Sequence, residues 1–225
     1  MELIDAIRNR HSVRSFQPRA IEPEVESRLR ELINDCNDKG LLHIQLITDD
    51  PQAFGRSLLA HYGKFSGVRN YLAMVGPDDE ELDERVGYYG EQIVLEAQRL
   101  GLNSCWVGLT FKKNKQRIVI DEGEKLVCVI ALGYGTTQGV PHKSKPMEKV
   151  ASAEGIDAPS WFVRGVEAAL LAPTAVNQQK FHFRLVDNNR VRATTGFGFF
   201  NKIDLGIAKF HFEVGAHREN FDWEE

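Results

Sequence analysis

Apolar residues recur every three or four positions between residues 79 and 100, the spacing that places side chains on one face of an α-helix. The residues on that face are Leu82, Val86, Tyr89, Ile93, Ala97 and Leu100. Gly101 follows directly, and glycine is the residue that most often ends a helix. Similar spacing predicts helices over residues 2–9, 23–37, 160–172 and 203–214.

The strand pattern is different in the two parts of the chain. Residues 125–135 form a continuous apolar run, which is typical of a central strand covered on both faces. Residues 180–187 alternate between apolar and polar, as in a strand with one buried face. Further strands are predicted at residues 41–48, 70–76, 104–108 and 190–196, and a helix near Pro51. Helices alternating with such strands predict an α/β or α+β sandwich.

Residues 135–146 are rich in Gly, Pro, Ser and Thr, which indicates a linker. The elements that follow it repeat the order of those before it. Short alignments support this repeat, matching residues 182–189 with 43–50 and residues 207–215 with 93–101. We therefore predict two related parts, residues 1–140 and residues 141–225, of which the second is shorter. A duplicated unit can fold back as an intramolecular dimer.

Composition and charge indicate which kinds of protein and partner fit this chain. Hydrophobic residues make up 42% of the chain and charged residues 27%, which is ordinary for a globular protein. The net charge of −4 argues against nucleic acid as a partner, because binding a phosphate backbone requires clustered positive charge. No signal peptide or membrane-spanning stretch is recognisable, so we expect a cytoplasmic protein with no membrane partner.

The cysteines and histidines suggest neither a disulfide framework nor a metal site. Cys36, Cys105 and Cys128 are odd in number, widely spaced and next to apolar sequence, which favours reduced packing residues. The seven histidines and the many carboxylates show no paired metal-ligand spacing. We therefore expect no metal.

Two short stretches have the composition of an anion site. Arg10, Ser12 and Arg14 alternate along the chain, so an extended segment would place two guanidiniums and a hydroxyl on one face. The alternative is a helix end whose cations complement its dipole, followed by a solvated turn. Lys143 and Lys145 repeat the alternation, and there the alternative is a solvated loop.

Two other stretches could adjoin a flat ligand. Gly108 lies between apolar residues after a predicted strand and would allow close approach of a ligand, although glycine at a strand end is usually a turn. The run "LLAPTAVNQQKFHF" (170–183) places a polar connector between a helix and a strand. Pro173 ends the helix, and the residues after it offer several hydrogen-bonding side chains.

Together, these stretches resemble the motifs of the nitroreductase family of FMN-dependent oxidoreductases. "RHSVRSF" is similar to that family's Arg-x-Ser-x-Arg-x-Phe signature. "LAPTAVNQQ" is similar to its Ala-Pro-Ser-x-x-Asn-x-Gln loop, with Thr174 in place of serine. "LGLNSCWVGLTF" resembles the segment beside the flavin ring, and "ALGYG" with "HKSKPMEKV" resembles the last core strand and its basic tail.

The resemblance implies a set of FMN contacts. The phosphate, ribityl chain and pyrimidine edge would meet Arg10, His11, Ser12 and Arg14, and the phosphate would also meet Lys143 and Lys145. The reactive N5 side would face backbone groups of Val107, Gly108 and Leu109. The other flank of the ring would be lined by Pro173, Thr174, Ala175 and Asn177.

The position of the proline loop departs from the family pattern. In ordinary members this loop follows the first long helix and is donated across a homodimer interface. Here the early position (residues 32–42) lacks the loop, which appears only at residues 172–179. The resemblance therefore implies an α+β, nitroreductase-like sandwich with a mainly antiparallel central sheet, internally duplicated as a pseudo-dimer. Such a chain would bind one FMN and would not need a second copy to do so.

The implied activity is hydride transfer from NAD(P)H through FMN to a nitroaromatic, a quinone or a similar acceptor. The flavin carries the redox chemistry, so we expect no catalytic side chain and no protein nucleophile. Arg14 would stabilise negative charge near the N1/C2=O region of the reduced ring. One alternative is an FMN-binding carrier or sensor with little turnover, and another is a structural protein without a cofactor.

Overall fold

The structure is a computed structural model that describes residues 1–50, 65–108, 117–153 and 157–224. The helix predicted near Pro51 lies outside the described residues. The helices are α1 (Leu3–Asn9), α2 (Pro23–Gly40), α3 (Leu82–Arg99), α4 (Ser160–Ala169) and α5 (Asn201–Ala216). The strands are β1 (Gln45–Ile47), β2 (Asn70–Pro77), β3 (Asn103–Val107), β4 (Glu124–Gly133), β5 (Ala151–Ser152), β6 (Phe181–Leu185), β7 (Arg190–Thr195) and β8 (Asp222–Trp223).

The chain divides into two compact units. The first unit comprises Arg10–Leu82 and Ile93–Pro141, and the second comprises Met1–Asn9, Asp83–Gln92 and His142–Glu225. The change of unit after Pro141 falls beside the predicted boundary at residue 140. The second unit also takes two stretches from the earlier part of the sequence, which a single cut in the chain could not provide. That the two parts are duplicated copies stays a prediction.

The sheet of the first unit is antiparallel throughout, in the order β1-β2-β4-β3. Leu72 of β2 pairs with Ile130 of β4, and Cys105 of β3 pairs with Ala131. Strands β2 and β4 lie in the middle of the sheet, and their apolar residues are almost entirely buried. The prediction of a central strand near residues 125–135, and of an α+β fold with a mainly antiparallel central sheet, is therefore confirmed.

The sheet of the second unit is mixed, in the order β5-β6-β7-β8. The β6–β7 pair is antiparallel, whereas β5–β6 and β7–β8 are parallel. Aromatic side chains fill the core of this unit: the rings of Phe183 and Phe212 stack with 4.6 Å between centroids. Phe162, Phe221 and Trp223 pack around Phe212.

Strand β1 is shorter than the predicted strand over residues 41–48. Leu41 has the left-handed backbone geometry of a helix C-terminus, with φ of 49°. The Asn37 side chain binds both backbone groups of Ile44, donating to its carbonyl at 3.0 Å and accepting from its N–H at 2.7 Å. The end of α2 therefore binds the outward backbone groups of Ile44, while the N–H of His43 still donates to the carbonyl of Val75 at 2.8 Å.

Helix α3 is buried on more than the single predicted face. Val94, Leu95 and Glu91 lie off that face, yet each is fully buried. Residues 83–92 of the helix pack against α5 within the second unit. There Gly87 faces the carbonyl of Ile203, and a Cβ added to the glycine would lie 2.1 Å from that oxygen. The sequence periodicity detects one apolar face but cannot show how many neighbours a helix has.

A buried polar pair joins α3 to α5 in the second unit. His211 Nε2 lies 2.9 Å from Glu91 Oε1, and both side chains are fully buried. His211 Nδ1 lies 3.1 Å from the carbonyl oxygen of Ala168. Both ring nitrogens therefore face oxygen atoms. Each of these two contacts is a hydrogen bond only if a proton lies between its nitrogen and its oxygen. Such a pair is costly to disrupt.

Candidate functional site

The first unit orders the arginine-serine-arginine stretch as an extended segment. Helix α1 ends at Asn9, and the following backbone runs beside β3 and residues 66 and 135. The N–H of Val13 donates to the carbonyl of Ser104 at 3.0 Å, and the N–H of Phe16 donates to Ser66 at 2.9 Å. This arrangement differs from the alternative of a solvated turn after a helix end.

This segment contributes both core and polar side chains. Val13 and Phe16 belong to the hydrophobic core of the first unit. Arg10, Ser12 and Arg14 all act on one group, the buried thiol of Cys105. Burial raises the pKa of that thiol, whereas the charge of Arg14, a hydrogen bond from Ser12 and the charge of Arg10 oppose the rise.

The three polar residues differ in their exposure. Arg10 is only 3% exposed, Ser12 is half-buried, and Arg14 is exposed. In the described part of the chain, Arg14 forms no ion pair with a carboxylate. His11 is half-buried and packs against Gly139, where an added Cβ would lie 2.8 Å from the histidine Cβ. The stretch therefore combines a buried cation with an accessible one.

The end of β3 lies next to this segment in the first unit. Val107 pairs with Val129 and is buried, and Gly108 is half-buried. Leu109, the third predicted backbone contact, lies outside the described residues. Val107 and Gly108 follow directly from Cys105, so the strand brings them to the same region as Ser12.

Asn103 is a buried residue of this region that the sequence did not reveal. Its Oδ1 accepts a hydrogen bond from the N–H of Gly135 at 2.9 Å, and its Nδ2 donates to Gln138 Oε1 at 3.0 Å. It thereby fixes the start of β3 to the stretch that follows β4. An asparagine inside a mainly apolar run (102–107) was the available signal.

The second unit contains the proline loop. Helix α4 ends at Ala169 rather than at the predicted residue 172. The N–H groups of Leu171 and Ala172 donate to carbonyls three residues back, so a tighter turn leads from the helix to Pro173. Pro173 is buried, Thr174 and Ala175 are half-buried, and Asn177 is exposed.

The backbone of the loop is unusual. Val176, Asn177 and Gln179 have φ angles of 47°, 56° and 42°, in the left-handed region that favours glycine. For a β-branched residue such as valine this geometry is an outlier, and outliers of this kind cluster at functional sites. Val176 is also 85% exposed, so its own packing does not offset the strain.

A buried carboxylate holds the loop in this geometry. Asp204, in the first turn of α5, accepts a hydrogen bond from the N–H of Ala175 at 2.9 Å and from Gln178 Nε2 at 2.7 Å. Burial raises the pKa of Asp204 to about 6, although both hydrogen bonds favour its charged form. Asp204 lies 29 residues from Ala175 in sequence, and no motif identified it beforehand.

Gln179 joins the loop to the basic stretch after the linker. It is only 2% exposed, and its Oε1 accepts from the N–H of Lys145 at 2.8 Å. Its Nε2 donates to the carbonyl of Lys143 at 2.8 Å, and Asn177 Nδ2 donates to that carbonyl at 2.9 Å. Its own N–H donates to Thr174 Oγ1 at 3.1 Å. One buried amide thus organises both stretches.

The two lysines have different roles in this arrangement. Lys145 Nζ donates to the carbonyls of Gln178 and Gln179 at 2.7 and 2.8 Å, so two of its three hydrogens bind the loop. The Lys143 side chain is exposed. That both contact a phosphate stays a prediction; in addition, the hydrogen bonds of Lys145 hold the loop in position.

The predicted residues therefore fall into two groups. The first unit gathers Arg10, His11, Ser12, Arg14, Val107 and Gly108. The second unit gathers Lys143, Lys145, Pro173, Thr174, Ala175 and Asn177. That all of them contact one FMN stays a prediction.

Comparison with protein-family models gives a match over residues 2–216 to the family described as "Putative TM nitroreductase". The chain belongs to this family. The resemblance seen in the four sequence motifs is thereby confirmed at the level of the family. No curated protein matches the sequence.

Solved structures support the family fold. A "putative nitroreductase" from Thermotoga maritima is 23% identical with a TM-score of 0.64, covering 97% of this chain and 85% of its own. A nitroreductase-like family protein from Bacillus cereus is 20% identical with a TM-score of 0.50, covering 69% of this chain and 97% of its own. At these identities the likeness concerns the fold alone. None of the described helices is long and apolar enough to cross a membrane.

Proposed function

We propose that this member of the family is an FMN-dependent oxidoreductase that takes hydride from NAD(P)H and passes it to a nitroaromatic, a quinone or a similar acceptor. The observation that carries the proposal is the extended segment beside β3, where Arg10, Ser12 and Arg14 all lie close enough to the Cys105 thiol to influence its pKa. Family membership over residues 2–216 supports the same chemistry.

The residues of this segment fit the phosphate, the ribityl chain and the pyrimidine edge of FMN. Guanidinium groups bind phosphate through paired hydrogen bonds, and a hydroxyl adds a further donor. Arg14 is exposed and forms no ion pair in the described residues, so its charge is available to a ligand. The half-buried Gly108 would allow a flat ring to approach the backbone closely.

Bound FMN would supply acceptance of hydride from the nicotinamide and its delivery to the second substrate. The protein would bind and orient the cofactor and stabilise charge. Arg10, largely buried, would hold one fixed position, whereas Arg14 would place its cation against the negative charge that develops at the N1/C2=O region. No side chain needs to act as a nucleophile.

The duplicated architecture is part of the proposal. The order helix, strand, strand, helix, strand occurs as α2-β1-β2-α3-β3 and again as α4-β6-β7-α5-β8. In both series the two consecutive strands form an antiparallel pair. The series differ further along the sheet, where β2 pairs with β4 antiparallel but β7 pairs with β8 in parallel. We infer a fused pseudo-dimer that binds one FMN, with the proline loop as the contribution of the second copy.

Binding of FMN is tested with Arg14→Ala. Charge-assisted hydrogen bonds contribute about 1.5–3 kcal/mol each, so FMN affinity should fall roughly 10- to 150-fold. Arg8→Ala is the matched control, because Arg8 is an exposed arginine of α1 that pairs only loosely with Asp5 at 3.7 Å. Flavin fluorescence titration measures both. Equal affinities of the two variants would remove Arg14 from the site.

Turnover is tested by anaerobic addition of NADPH or NADH to the FMN-loaded protein. Loss of the flavin absorbance band, followed by its return on adding a nitroaromatic or quinone, supports the oxidoreductase. A protein that binds FMN but is not reduced by either nucleotide is instead a carrier or sensor. A protein that takes up no FMN contradicts both readings.

A further inference from the structure

We propose that His43, Asp121 and Glu124 form a binding site for a divalent transition-metal ion in the first unit. His43 precedes β1, Glu124 begins β4, and Asp121 lies in the turn before β4. The site is separate from the proposed flavin residues, and its test does not depend on FMN.

The three side chains converge closely enough to share one ion. His43 Nδ1 lies 2.9 Å from Glu124 Oε2 and 3.1 Å from Oε1. One ligand atom from each of the three residues lies within 4.8 Å of the other two. Zinc bonds of about 2.0–2.2 Å in a tetrahedron place ligand atoms roughly 3.4 Å apart. The distance between His43 and Glu124 would need to increase slightly to reach this spacing. The exposed Asp121 side chain would also need to rotate towards them.

The backbone around the cluster is held in place by its neighbours. Gln45, in β1, accepts a hydrogen bond from the N–H of Val119 at 2.9 Å and donates to its carbonyl at 2.7 Å. This fastens the segment before Asp121 to the strand that follows His43. Gly123, with φ of 81°, allows the tight turn in which the N–H of Asp121 donates to Glu124 Oε2 at 2.8 Å. The ligand positions are therefore largely preorganised.

The charge of the cluster indicates a cation. An ion pair between His43 and Glu124 would explain their short distance, but it does not explain a second carboxylate beside them. Asp121 and Glu124 repel each other, and a cation bound between them would relieve that repulsion. The side chains of His43 and Glu124 are 33% and 16% exposed, which leaves room for water as a further ligand.

The donor set selects the class of ion. One imidazole nitrogen and two carboxylates suit zinc and its first-row neighbours, whereas magnesium and calcium prefer oxygen ligands alone. The expected ligand is therefore Zn²⁺ or a similar ion held by His43, Asp121 and Glu124. Such an ion would link the start of β1 to the turn before β4 and would stabilise that edge of the sheet.

Isothermal titration calorimetry of the full chain with ZnCl₂ tests the site, with CaCl₂ as the comparison ion. We expect one zinc ion to bind per chain, with no binding of calcium at the same concentration. His43→Gln and Asp121→Asn should each weaken zinc binding at least about tenfold, as expected for loss of a ligand. Asp78→Asn is the matched control, because Asp78 is an exposed carboxylate of the same turn region whose N–H donates to Gly123 at 2.9 Å.

A second measurement distinguishes metal binding from a folding defect. Zinc should raise the thermal unfolding midpoint of the wild-type chain and of Asp78→Asn, but not that of His43→Gln. Zinc affinity that is unchanged in His43→Gln would overturn the proposal, as would calcium binding as tight as zinc binding. Failure of the wild-type chain to bind zinc at millimolar concentration would overturn it equally.

Discussion

The substitution Asp204→Asn tests how the proline loop is held. Asp204 is a buried carboxylate that accepts hydrogen bonds from Ala175 and Gln178. An asparagine keeps the size of the side chain and one acceptor oxygen, but it cannot ionise. Any pH dependence that comes from the carboxylate should therefore disappear in the variant, while the fold is retained.

The size and direction of the effect follow from the pKa of Asp204. Burial raises this pKa from an ordinary value of 3.8 to about 6 in the folded protein. Between these two pH values the folded chain holds a proton that the unfolded chain has released. The contribution of Asp204 to stability is therefore complete below pH 3.8 and is lost as the pH rises through 6. A pKa difference of this size corresponds to about 3 kcal/mol of unfolding free energy.

Urea denaturation of both proteins at a series of pH values from about 4 to 7.5 measures the effect. We expect the wild-type free energy of unfolding to fall by about 3 kcal/mol relative to Asp204→Asn across this range. Asp222→Asn, which alters an exposed carboxylate of the same unit, should show no such trend. The free energies of unfolding of wild type and Asp204→Asn could instead differ by the same amount at every pH. The carboxylate would then already be ionised at low pH, and burial would not raise its pKa.

Two further substitutions test the packing of α5 against α3. His211→Ala removes the imidazole from the fully buried carboxylate of Glu91, so we expect a loss of about 3–5 kcal/mol in urea denaturation. A loss below about 1 kcal/mol would contradict the buried pair. Gly206→Ala would place a Cβ 2.0 Å from the carbonyl oxygen of Glu84, and we expect a loss of about 1–3 kcal/mol although alanine is the better helix former. Lys202→Ala, on the exposed side of α5, is the control, and a stabilised Gly206→Ala would refute the close helix crossing.

Local pattern was sufficient to locate most elements of the fold. Helices α2, α3, α4 and α5 all lie at the predicted places, because each carries an apolar stripe at helical spacing. The ends of the elements were predicted less accurately. At the start of β1 the Asn37 side chain binds both backbone groups of Ile44, and the described strand begins only at Gln45.

The sequence also predicted residues of a candidate site, but not how these residues are held. Motif residues such as Arg10, Ser12 and Arg14 are recognisable because they are close together in the chain. Gln179 was visible only as part of a polar run, and its role as the centre of the loop depends on hydrogen bonds to Lys143 and Lys145, 36 and 34 residues away.

What the sequence by itself determined is the family, the class of fold and the segments that carry polar groups, since these follow from short-range spacing and composition. Only the tertiary structure decided which distant groups meet. Asp204 reaches the loop, and His43 reaches Glu124 across 81 residues of sequence. The sequence predicted no metal, and the proposed site depends on His43 meeting two carboxylates about 80 residues further along the chain. Long-range contacts of this kind arise when packing brings elements together, and packing depends on the whole chain.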